Sequence, residues 1–199
     1  MSKTLKLMAL GLLLAAGGPL AAQDEAAQEP ADAPLDLAMG EELRPIGQPY
    51  IAEQSGDWSL RCMATPEDQP DPCQLYQLLQ DADGNNVAEI SMFPLPPGNR
   101  AAAGATIVVP LETLLTEQLT LAVDGGSARR YPFTFCNAAG CVARVGFTDE
   151  EVSQFKRGNK ATLRMVPAAA PDQEVVLDVS LTGFTAGFDN TVDLGSAQN

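Results

Sequence analysis

The chain has 199 residues, with 26 acidic and 12 basic side chains, a formal charge of −14 and no histidine. Without histidine, the Ser-His-Asp and Cys-His arrangements and the histidine-based zinc sites are excluded. The negative charge repels nucleic-acid phosphate and anionic lipid, so neither is an expected partner, and the length suits one domain with a sizeable core.

Lys3 and Lys6 precede an apolar run, Leu7 to Ala16, that Gly17, Gly18 and Pro19 interrupt. Leu20-Ala21-Ala22 then offers a small-residue processing site, so residues 1–22 read as an export signal cleaved near Ala22. The run falls short of the roughly 20 residues a spanning helix needs, and no membrane span is expected. Cleavage removes two lysines and no acid, taking the charge from −14 to −16. Residues 23–48 are rich in Ala, Pro and acids, with Arg44 the one basic residue and no sustained period. Such a segment buries too little to offset its ordering entropy, and it reads as a flexible acidic leader.

From Tyr50 onward the pattern is that of a β protein, and residues 49–190 are the expected domain. Trp58, Leu60 and Cys62 alternate with polar neighbours at the period of a half-buried strand. CQLYQLLQ, VAEISMF, ATIVV, LTLAV, YPFTF, CVARVGF, ATLRMV and EVVLDVSL follow, giving about nine short strands. Asp83-Gly84 and Asp124-Gly125-Gly126 supply the positive backbone angles that tight turns require. Asp81 to Asn85 hints at a calcium loop. Its glycine comes two positions early for an EF-hand, and Met92 stands where the bidentate Glu belongs, so it reads as a hairpin turn.

The four cysteines are Cys62, Cys73, Cys136 and Cys141. Their spacings fit neither a zinc knuckle nor a CxxC redox motif, which leaves structural disulfides in an oxidising compartment. Three pairings are formally possible, and geometry favours the local one. Phe133 to Cys136 and Cys141 to Arg144 read as strands joined by the turn Asn137 to Gly140. That sets Cys136 opposite Cys141, and facing Cα atoms of a non-hydrogen-bonded pair lie about 4.5 Å apart. Cys62 and Cys73 bound an acidic, proline-bearing loop between two strand-like runs. Tyr131, Phe133 and Phe135 then fall on the face opposite the cysteines. Either they pack in the core with the bridge outside, or a bulge resets the register, with Pro132 marking an edge strand.

Thr148 with Glu151 three residues later forms a capping box, Val152 and Phe155 give an apolar stripe, and Gly158 stops the run. This predicts one short helix, about 148–158. Residues 191–199 read as a disordered tail. Short strands with frequent turns favour an all-β two-sheet sandwich. No phosphate-binding glycine loop, dinucleotide fingerprint or singular carboxylate pair stands out. No catalytic residue, metal ligand or cofactor site is therefore expected. Arg129-Arg130, after the Asp124 turn, is the candidate grip for an anionic group on a partner, set against ordinary pairing with the acidic surface.

Several pieces in order resemble the invasion-associated locus B family of exported bacterial proteins. They are Gly56-Asp57-Trp58 with Arg61-Cys62, Cys73-Gln74-Leu75, Val109-Pro110-Leu111 with Leu114-Leu115, and Leu119 to the Val123-Asp124-Gly125-Gly126 turn. Pro132-Phe133, Cys136, Gly140-Cys141 and Ser180 to Ala186 complete the series. Glu112 stands where the family usually has glycine. The resemblance implies an immunoglobulin-like β-sandwich in the periplasm, secreted space or cell envelope of a Gram-negative bacterium, with no established catalytic residue or cofactor. The expected function is non-enzymatic binding of an unidentified protein or envelope component, linked to host-cell invasion or envelope integrity. The rivals are a periplasmic enzyme or thiol-redox protein, and an envelope assembly or chaperone factor using exposed strand edges.

Overall fold

A computed structural model describes residues 39–40 and 44–196, with backbone alone for 192–196. The expected export signal, most of the leader and the last three residues lie outside the described residues. Contacts divide the chain into Met1–Glu41 and Glu42–Asn199, and the whole β domain lies in the second unit.

That unit begins with β1 (Pro49–Ser55), β2 (Trp58–Met63), β3 (Cys73–Gln80), β4 (Asn86–Pro94) and β5 (Ala103–Val109). It continues through β6 (Leu119–Val123), β7 (Arg129–Tyr131), β8 (Phe135–Asn137) and β9 (Gly140–Phe147). After α1 (Asp149–Arg157) come β10 (Lys160–Met165), β11 (Val175–Ser180) and α2 (Phe184–Ser196). Every pairing is antiparallel. Seven strands form one sheet in the order β1-β2-β3-β4-β5-β9-β8, and four form the other as β11-β10-β6-β7. The all-β sandwich expected from the alternating runs is the fold.

Alternation places Trp58, Leu75, Ile90, Met92 and Ile107 on the inner face of the larger sheet, all fully buried. Leu119, Leu163 and Leu177 answer them from the smaller sheet. Four strands cannot cover seven, and the helices fill the remainder. Phe155 of α1 and Phe184 of α2 lie 5.4 Å apart at their ring centroids, and Phe184 meets Trp58 edge-on at 5.3 Å. Gln77, also buried, stitches the layers. Its amide nitrogen donates to the carbonyls of Ser180 (3.1 Å) and Asp57 (3.2 Å), and its oxygen accepts from Ser180 N–H at 3.0 Å.

Two expectations require correction. One helix was expected, and α2 is a second; it also occupies the first six positions of the tail assigned as disordered, 191–199. Its sequence carries Gly187 and Thr191 and little helix propensity, so packing over the exposed inner face of β2–β4 decides the matter. Its entry is a close crossing of backbones at Gly56 (φ +59) and Gly183 (φ +83). A Cβ there would lie 2.5 Å from the Thr182 carbonyl oxygen or 2.0 Å from that of Ser55.

The run Tyr131 to Phe135 is the second correction, because it is two strands rather than one. β7 belongs to the smaller sheet and β8 to the larger, so the chain changes sheets across Pro132–Thr134. Tyr131 and Phe133 pack against the core, with Tyr131 edge-on to Phe147 at 6.0 Å. Phe135 instead lies on the outer face, 42% exposed. Both local disulfides are present, Cys62–Cys73 and Cys136–Cys141, each with Cα atoms 4.0 Å apart in directly opposed register.

Candidate functional site

Arg129 and Arg130 do not act together. Successive strand residues point to opposite faces. Arg130 sits in a row with Thr120 and Arg164 on the outer face of the smaller sheet. Arg129 turns the other way, toward α1, where its Nε lies 2.9 Å from the Glu151 carboxylate.

Glu151 is 5% exposed and fully committed. It accepts from Thr148 N–H (2.9 Å), the Thr148 hydroxyl (2.8 Å) and the Tyr131 hydroxyl (3.1 Å). Burial pushes its pKa up, but the Thr148, Tyr131 and Arg129 contacts outweigh that and hold it below the usual carboxylate range. Burial, reinforced by the Glu151 charge, drives the Tyr131 hydroxyl far above the ordinary phenol value. With every lone pair engaged, the Glu151 carboxylate anchors α1 to β7. The adjacent open groove of about 330 Å3 is lined by Arg129 and Arg157, and Glu151 and Glu150 already answer these cations.

Among the described residues, no three acidic or cysteine side chains converge as metal ligands. Asp81 closes on its own turn, accepting from the N–H groups of Asp83 (3.0 Å) and Asn85 (2.9 Å). All four cysteines are bridged, and none of them is a free thiol.

The outer face of the seven-stranded sheet is different. One of its rows runs Ser59, Tyr76, Ser91, Thr106, Arg144 across β2, β3, β4, β5 and β9. Beside it Arg61 is satisfied three ways. Its guanidinium lies 3.9 Å over the Tyr76 ring, donates to the Ser91 hydroxyl at 3.1 Å, and stands 3.8 Å from Glu89. Arg144 has no such set. Its guanidinium lies 5.5 Å from the Phe135 ring centroid, and no described acidic side chain comes within ion-pair distance.

Next to Arg144 the sheet loses side chains. Phe93, Gly104 and Gly146 face one another across β4, β5 and β9. The Phe93 ring lies down on Gly104, so closely that a Cβ there would come within 2.6 Å of it. The result is a trough of about 410 Å3, walled by Phe93 and Leu95 on one side and Arg144 on the other, with Thr106 and Gly146 in its floor. Sequence reading did not find it, because its residues, Gln74 of β3 included, come from four strands and only register assembles them. The same face exposes Met63, Leu78 and Phe135.

Residues 58–192 match the family described as invasion associated locus B (IalB) protein. Two invasion protein B homologs from Brucella abortus (strain 2308, and biovar 1 strain 9-941) are each 25% identical over 146 residues. The matches cover 73% of this chain and 81% of each relative. The crystal structure of invasion-associated protein B from Bartonella henselae shares the fold, with a TM-score of 0.61 at 23% identity. That match covers 73% of this chain and 97% of the other.

Proposed function

This chain belongs to the invasion-associated locus B family, and on that premise we propose that it is an exported, non-catalytic binding module of the cell envelope. It meets another envelope or host component through the outer face of its seven-stranded sheet. The relatives are named for invasion, and the partner contact proposed here serves that process or the integrity of the envelope. The observation that carries the reading is Arg144, without an acidic partner among the described residues, beside an apolar trough on a face that also exposes Met63, Leu78 and Phe135. Interface centres favour aromatic, methionine and arginine side chains, and this face offers all three. The reading of Glu151 and Tyr131 as a structural anchor, and of the cysteines as bridges, supports a role without catalysis.

Photo-crosslinking in intact envelopes tests the reading. A photoreactive residue at Leu78 or Thr106 is expected to give adducts of discrete mass. One at Thr162, on the outer face of the smaller sheet, is expected to give none. Equal labelling from both sheets, or none from either, would remove the proposed face.

A further inference from the structure

We infer that the Phe93–Gly146–Arg144 trough receives the apolar C-terminal residue of a partner polypeptide, with its free α-carboxylate on Arg144. The inference rests on the binding role proposed above and names the chemistry of its contact. Two features sit on opposite walls of one small depression and call for one ligand that carries both complements. Arg144 is an arginine without an acid in a chain where acids outnumber bases 26 to 12. A guanidinium presents a planar fork that matches a carboxylate, and the Thr106 hydroxyl beside it adds a donor. Facing it, the Phe93 ring and Leu95 form an apolar wall over glycine backbone.

Phe93 and Arg144 stand on strands two apart, but the Phe93 ring lies over Gly104 of the strand between them. The gap from ring to β9 is therefore one strand spacing, roughly 5 Å. That width suits one residue whose side chain and carboxylate diverge from a single Cα. An internal Asp or Glu carries no apolar group at that position. A long acyl chain needs a deeper channel than an open trough of about 410 Å3. Gly104 is where the Phe93 ring lies, and a Cβ on Gly146 would enter the floor, 3.1 Å from the Ala101 methyl.

The test is a titration of the full exported chain, isotope-labelled for NMR, at 0.15 M salt. The probes are N-acetylated tripeptides ending in phenylalanine, leucine or valine, each as free acid and as C-terminal amide. At least one free acid is expected to shift the amide resonances of Gly104, Thr106 and Gly146 saturably, and its amide to bind at least tenfold more weakly. Arg144→Gln is expected to bring the acid down to the level of the amide. Because Arg144 is exposed and forms no ion pair among the described residues, this variant is expected to keep the native fold, with spectral changes confined to its neighbours such as Phe135. Gly146→Val, filling the floor, is expected to abolish both.

Equal binding of acid and amide overturns the inference, as does absence of any shift at the trough or indifference to Arg144→Gln. A peptide with an internal glutamate and an amidated end, or octanoate, binding as tightly as the free acids would also overturn it. If the peptides fail while crosslinks through Leu78 and Thr106 still form, the C-terminal chemistry is wrong and the binding face stands. Loss of the crosslinks as well removes both.

Discussion

Glu151 is a charged group that the fold keeps inside, and its position is explained by what it closes. Its carboxylate completes the capping box of α1 and ties the helix to Tyr131 and Arg129 of β7. Arg129 is mostly exposed, so its ion pair contributes little beside the Thr148 hydrogen bonds. Glu151→Gln keeps a capping-box residue at the third helical position but removes the charge from its hydrogen bonds, and is expected to cost about 1–2 kcal/mol at pH 7. The pH dependence has a definite sign. The folded carboxyl has a depressed pKa, so its contribution is complete above the unfolded value, near 4.3, and disappears as pH falls through the lower folded one. Urea melts of the two proteins should therefore differ at pH 7, begin to converge below about pH 4 and meet only once pH is below the folded value. A gap unchanged at low pH would assign the loss to packing. Thr148 and Glu151 were legible in the sequence because a capping box is a local signal. Tyr131 as a partner was not, because β7 reaches α1 only in three dimensions. Arg129-Arg130 misled for a related reason: adjacency in a strand separates side chains onto opposite faces.

At the scale of elements, strands with one buried face were readable and those without were not. CQLYQLLQ maps onto β3 residue for residue, and EVVLDVSL contains β11, because buried positions alternate with exposed ones and most of the buried ones are apolar. Gln77 inside and Leu78 and Val176 outside are the exceptions. β1 has no buried residue to produce an alternation, and no strand was assigned there. The trough was illegible for the same reason as the sheet change at Pro132: both depend on which strands become neighbours. α2 is the clearest case of packing overriding propensity. Phe184 and Phe188 stack at 5.4 Å one turn apart, and Gly187 between them lets the helix approach Leu75 of β3. If α2 is the lid of this half of the core, Phe184→Ala should cost about 3–5 kcal/mol, as for other fully buried aromatics. Denaturant titration with both disulfides intact measures it. A loss under about 1 kcal/mol would mean that α2 rests on the sheet without contributing to the core.

For the molecule as a whole, the balance of charge sets how stability responds to salt. Six ion pairs are present among the described residues, and in Lys160–Asp178, Arg164–Glu174 and Arg157–Glu150 both partners are about half exposed or more. Such contacts add little and are weakened by salt. Against them stands the repulsion of the 18 acids that residues 49–190 hold together with 9 bases. Its range decides the outcome. The Debye length falls from about 30 Å at 0.01 M to about 8 Å at 0.15 M, so acids across the domain stop sensing one another while groups in direct contact still do. Salt therefore removes more repulsion than attraction, and folding, which brings the acids together, becomes less costly. The melting temperature at pH 7 is expected to rise by a few degrees from 0.01 to 0.15 M sodium chloride and then to level off. Calorimetry across that range checks it, and a falling melting temperature would mean that the ion pairs outweigh the net charge. Screening should act on the trough in the same direction. A carboxylate approaching Arg144 crosses the field of the whole acidic surface before it reaches one cation, so its binding should strengthen with added salt until the contact itself is screened.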